Sequence, residues 1–131
     1  MILTALALAA SVQGKCTALD TRLPRPFAGW TRDGRGLDTG HAVTLPARGG
    51  RLEARITIRK PGRVGIAIDQ DGWIDAFPAQ GNRALRMASE SRGPRCSTIR
   101  KILYYRMRPG TYRVTVERLK GGRAKLMLTH D

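Results

Sequence analysis

From residue 42 onward, apolar side chains recur at every second position. In residues 51–58, Leu52, Ala54, Ile56 and Ile58 share one face, and Arg51, Glu53, Arg55 and Thr57 share the other. This is the pattern of an antiparallel strand with one buried side. Val64, Ile66 and Ile68 alternate with Arg63, Gly65 and Ala67. Tyr112, Val114 and Val116 repeat the pattern, as do Leu126 and Leu128 near the C-terminus. Shorter segments at 42–45, 73–77 and 84–89, with a β-branched and aromatic run at 99–107, complete about eight strands.

Turn signals punctuate these strands. They are Pro61-Gly62, Asp71-Gly72, Pro109-Gly110 and Gly121-Gly122. Asp71-Gly72 predicts a two-residue hairpin leading into 73–77. No helical period is convincing anywhere. The expected fold is all-β, a single antiparallel β-sandwich or jelly roll of about eight strands, with residues 41–131 as the sandwich domain.

Residues 15–40 lack any sustained period and are rich in Pro and Gly. They predict an irregular arm laid over the domain and pinned by Phe27 and Trp30. Ahead of the arm, residues 2–10 read ILTALALAA. That run is too short for a bilayer, which takes about 20 residues. It suits the apolar core of a signal peptide, and Val12-Gln13-Gly14 offers a cleavage site before Lys15. Residues 1–14 are therefore read as a leader, and the mature chain as periplasmic or secreted. No further segment is long and apolar enough to span a membrane. Lys15 and Gln13 disfavour Cys16 as a lipid-anchor cysteine, because such sites want small residues there.

Cys16 and Cys96 are the only two thiols. In an oxidising compartment they are expected to pair as a structural disulfide, tying the arm to the sandwich. A paired thiol is not a nucleophile, and no Gly-x-Ser-x-Gly elbow stands in its place.

Charge changes the picture next. The chain carries 24 Lys and Arg against 10 Asp and Glu, a formal net charge of +14. Between Arg83 and Lys125 the only acids are Glu90 and Glu117. Such charge favours anionic partners, and an exported chain has little access to nucleic acid. Arg83, Arg86, Arg92, Arg95, Arg106 and Arg108 are the candidate anion-binding residues, with guanidinium forks suited to phosphate or carboxylate.

Other chemistry finds little support. Asp69-Gln70-Asp71-Gly72 opens like a calcium loop, but position 12 is Gln80 rather than a bidentate Glu. The only histidines are His41 and His130, and an iron triad needs two His and a carboxylate on one ion. No cofactor, metal site or catalytic residue is expected. Asp75 shares a face with Trp73 and Phe77, and that face is expected to turn inward as core. A buried carboxylate must be paired, and Arg100 is the expected partner.

Trp73-Ile74-Asp75, residues 93–101 (Gly-Pro-Arg-Cys-Ser-Thr-Ile-Arg-Lys) and Pro109-Gly110-Thr111-Tyr112 stand in this order. The cadence resembles the pre-peptidase C-terminal type of β-sandwich. The chain resembles more closely a group of small secreted proteins from Gram-negative bacteria, over about half its length. Members of that group often carry the label homogentisate 1,2-dioxygenase. The large iron-dependent cupin enzyme of that name has a His, His and Glu motif with no match here. The group supplies no function; the leader, the basic surface and the lack of a nucleophile with its base point to a non-catalytic envelope module, binding an anionic envelope polymer or another envelope protein. The alternative, which rests on the dioxygenase label, is a small cupin-like metalloenzyme.

Overall fold

The computed structural model describes residues 15–131; the leader assigned to residues 1–14 lies outside them. Eight antiparallel strands form two sheets, so the all-β sandwich read from the alternation is what the chain adopts. The strands are β1 (Val43–Pro46), β2 (Leu52–Ile58), β3 (Gly62–Ile68), β4 (Trp73–Pro78), β5 (Ser89–Arg92), β6 (Lys101–Met107), β7 (Gly110–Glu117) and β8 (Arg123–His130). One sheet runs β1-β8-β3-β6-β5, and the other β2-β7-β4.

The core lies where alternation puts it. Val64, Ile66 and Ile68 of β3, Leu126 and Leu128 of β8, and Leu103 and Tyr105 of β6 face Leu52 and Ile56 of β2, Val114 and Val116 of β7, and Ile74 and Ala76 of β4. β3 and β8 are buried on both faces. On their outer side, Ala67 stands in register between Ile102 and Met127. This shallow row receives Phe27 and fully buried Trp30 from the arm. The arm is thus a third layer, and residues Arg25–Thr31 within it form a short 3₁₀ helix.

Three local expectations change. Asp71-Gly72 does not close a hairpin, because β3 and β4 belong to different sheets. The turn carries the chain across the sandwich. Every connection does the same except β5 to β6, the one hairpin between consecutive strands. Residues 84–88 are not a strand. They form a strap in which the Leu85 N–H donates to the Ala76 carbonyl and the Ala88 N–H to the Tyr104 carbonyl, both at 2.7 Å. That strap ties one sheet to the other, and only Ser89–Arg92 pairs as β5. Finally, Trp73, Asp75 and Phe77 do not turn inward. Ile74 and Ala76, opposite Val116 and Val114, take the core side, and Trp73 is left 57% exposed.

The Pro109-Gly110 crossover is held by Tyr112. Its hydroxyl donates to the Arg108 carbonyl at 2.8 Å and accepts the Arg108 N–H at 3.0 Å. Gly93 is required by close approach, since a Cβ there would run into the Ile99 carbonyl.

Trp30→Ala is expected to lower stability by about 3–5 kcal/mol, because the void opens beneath a fully buried side chain. Urea unfolding checks this, and a loss under 1 kcal/mol would show that the arm layer carries little of the fold.

Candidate functional site

The loop of the single hairpin, residues 93–100, is the junction on which the sites are built. Cys96 bonds Cys16, as the two-thiol count implied. The Asp20 N–H donates to the Cys96 carbonyl at 2.9 Å. The Asp20 carboxylate accepts from both the N–H and the hydroxyl of Thr98, at 2.7 and 2.6 Å. The Trp30 indole N–H donates to the Thr98 oxygen at 2.8 Å. The arm is therefore held by a disulfide, a carboxylate clasp and a buried indole together. The tether alone does not account for its order.

Beyond the clasp, Ile99 is buried under the arm. Arg100 turns to the β3–β4 crossover, where its Nε donates to Asp71 Oδ1 at 3.0 Å. Arg100 thus pairs with Asp71 and not with Asp75. Asp75 instead accepts the indole N–H of Trp73 at 3.1 Å. The reason is the outward turn of its face, which places it on β4, away from the hairpin loop.

Asp71 sits among cations. The hydrogen bond from Arg100, then the Arg100 charge, hold its carboxyl below the ordinary value, with Lys101 and Lys120 adding to the effect. Two adjoining depressions share Asp71 and Arg100. One, of about 260 Å³, also takes in Glu90, Arg92 and Lys101; the other, of about 270 Å³, takes in Arg118 and Lys120. Arg92, Arg100, Lys101, Arg118 and Lys120 thus face two carboxylates, forming a basic band at one end of the sandwich.

Of the six candidate arginines, only Arg92 lies in this band. Arg83 and Arg86 are exposed beside and on the strap. Arg95 stands next to the disulfide. Arg92 opposes Lys101 in register, whereas Arg106 opposes Arg63, five residues and roughly 16 Å along the strand. Arg108 lies beyond it. The sequence run is therefore divided between the two ends of the sheet. Arg118 and Lys120 enter the band from the β7–β8 crossover, 18 or more residues from Arg100, and nothing in the linear pattern marks them.

A second concavity, of about 250 Å³, adjoins the band through Glu90 and Lys101, which line both. It opens between β4 and β6, and Trp73, Asp75, Met87, Leu103 and Tyr105 also line it. β4 is an edge strand, and its edge carbonyls are all occupied. Gly72 accepts from Lys101 Nζ at 2.6 Å, Ile74 from the Tyr105 hydroxyl at 3.3 Å, and Ala76 from the Leu85 N–H. Donors standing in for a strand blunt an edge against pairing with another chain. Burial, and then the charges of Asp75 and Glu90, push the Tyr105 phenol up to about 12.

The residues do not fit an iron centre. His41 turns Nε2 to the Gly36 and Arg35 carbonyls at 3.1 and 3.3 Å, and His130 turns Nε2 to the Lys60 carbonyl at 2.8 Å. Among the described residues, no three His, Cys, Asp or Glu side chains converge. Asp69 likewise is engaged as a turn residue, accepting the Lys125 N–H at 3.1 Å.

Because the fold keeps Tyr105 neutral above the pH at which an unfolded chain loses the proton, stability is expected to fall as pH rises from about 10 to about 12. Tyr105→Phe removes that component of the decline. Urea midpoints measured across this range for both proteins test the assignment, and parallel curves would contradict it.

Comparison of the chain with protein-family models, with curated proteins and with solved structures gives no match.

Proposed function

We propose that this chain is a non-catalytic β-sandwich module exported to the bacterial envelope, where it holds an anionic polymer on its basic band. The observation that carries the reading is the convergence of Arg92, Arg100, Lys101, Arg118 and Lys120 on two adjoining depressions around Asp71. Charge spread evenly over a surface gives only loose, salt-screened attraction. Cations brought to one place by the β5–β6 hairpin and the β7–β8 crossover can grip successive phosphates or carboxylates with directed hydrogen bonds. Export is supported by the apolar run at residues 2–10 and by the Cys16–Cys96 disulfide, a bond suited to an oxidising compartment.

The likeness to small secreted Gram-negative proteins supports an envelope setting. It supplies no activity, and the dioxygenase label finds no ligand set among the described residues.

Retention on immobilised lipopolysaccharide and on heparin, eluted by salt, tests the reading. Replacing Arg92, Arg100 and Lys120 by Gln is expected to reduce retention much more than replacing the exposed Arg22, Arg32 and Arg48 by Gln, which removes the same charge elsewhere. Equal losses in the two triple variants would reduce the band to ordinary surface charge and end the proposal.

A further inference from the structure

The concavity beside Trp73 has features that the basic band does not explain. Among the described residues, three large apolar side chains are left exposed: Leu19, Trp73 and Met87. Two of these, Trp73 and Met87, line this one cleft. Its two carboxylates stand outside the ion pairs of the described residues, as do Asp20, Asp33 and Asp69, of which Asp20 and Asp69 accept hydrogen bonds from Thr98 and from the Lys125 N–H. In a chain with 24 cationic side chains, Asp38, Glu53, Asp71, Glu117 and Asp131 all have an Arg within 4 Å. Asp75 and Glu90 are absent from these ion pairs. Asp75 is held by an indole N–H. Both carboxylates place their field on the cleft floor, where they act on the Tyr105 phenol.

Arg118 lies over one face of Trp73, its Cζ 5.5 Å from the ring centroid; the rest of the ring, the Met87 thioether and two carboxylates outside the ion pairs make a receptor for an organic cation. The adjoining depression holds Arg92, Arg100 and Lys101. Glu90 and Lys101 line both concavities, so the two are contiguous. A plain anion would leave the carboxylates repelling it, and a plain cation would meet the band. A group carrying both charges satisfies each side.

We infer that the cleft and the band form one site for a ligand bearing a primary ammonium beside a phosphate. The ammonium sits between Asp75 and Glu90 against Trp73, and the phosphate sits on Arg92, Arg100 and Lys101. This rests on the anionic-polymer reading and narrows it to phosphorylated aminoglycans or ethanolamine-phosphate groups, which share this chemistry.

Titration of the full mature chain, followed by fluorescence of exposed Trp73 and by calorimetry, tests the inference. The probes are glucosamine 6-phosphate, O-phosphoethanolamine, N-acetylglucosamine 6-phosphate and inorganic phosphate. At least one of the two amine-bearing phosphates is expected to bind about tenfold more tightly than the acetylated sugar phosphate and inorganic phosphate, the worth of one charge-assisted hydrogen bond. Whichever of the two binds better identifies the source as glycan or headgroup. Glu90→Gln, at an exposed position, is expected to abolish the preference. Equal binding of the acetylated probe, or a preference that survives Glu90→Gln, overturns the inference. Polymer retention measured on the same preparations separates the two failures. If retention still depends on Arg92, Arg100 and Lys120, only the ammonium subsite is lost.

Discussion

The hairpin loop between β5 and β6 is the constraint on which the remaining structure rests. Within residues 93–101, the side chains that leave the loop reach the arm, the β3–β4 crossover and the edge of β4. Cys96 and Thr98 fasten the arm, Ile99 enters the outer apolar layer, Arg100 reaches Asp71 on a crossover, and Lys101 caps the edge of β4. Gly93 lets the two ends of the loop approach closely enough for this. Arm, sandwich and basic band are thus oriented by one short segment, and the cleft beside Trp73 shares Lys101 with it.

The alternation of apolar and polar residues was sufficient to read the strands and the layer they bury, because burial on one face imposes a period of two wherever it occurs. It could not assign strands to sheets. Asp-Gly and Pro-Gly turns serve a hairpin and a crossover equally well, so Asp71-Gly72 looked like a hairpin and is not one. It could not orient β4, whose two faces carry Trp73 and Phe77 against Ile74 and Ala76. Bulk favoured the first pair, whereas the structure buries the second, in register with Val116 and Val114 on β7. The buried outer face was visible only as an oddity, the small residues Gly65 and Ala67 inside an otherwise large-residue strand. They mark where Trp30 and Tyr104 approach. The pairing of two lone cysteines was legible without any geometry.

The candidate sites were less legible for a physical reason. Arginine is spread along the whole chain, so local density says little about which guanidiniums meet. The band takes its members from the two strand ends and the loop of one hairpin and from the β7–β8 crossover, segments brought together only by the topology. Of the six arginines between residues 83 and 108, Arg92 and Arg106 are separated by the length of β6, while Arg83 and Arg86 lie at the strap and Arg95 beside the disulfide. Asp75 stood out in the sequence because of its aromatic neighbours. It lines the cleft beside Trp73 and is held by the Trp73 indole rather than by an arginine.

The alternation of strands between sheets has a consequence for how the chain reaches this state. Apart from β5–β6, no two consecutive strands pair with one another, so neither sheet can be assembled from local hairpins and then docked. Nearly every stabilising contact requires a long loop to close first, at an entropic cost incurred before the contact repays it. Such topologies fold slowly, in the range of about milliseconds to seconds. During that interval the β4 edge lacks its caps from Lys101, Tyr105 and Leu85, since these come from segments later in the chain. The donors that blunt this edge in the finished protein therefore cannot protect it until β6 and the strap have arrived, which makes the unfinished chain, rather than the native one, the form most exposed to self-association.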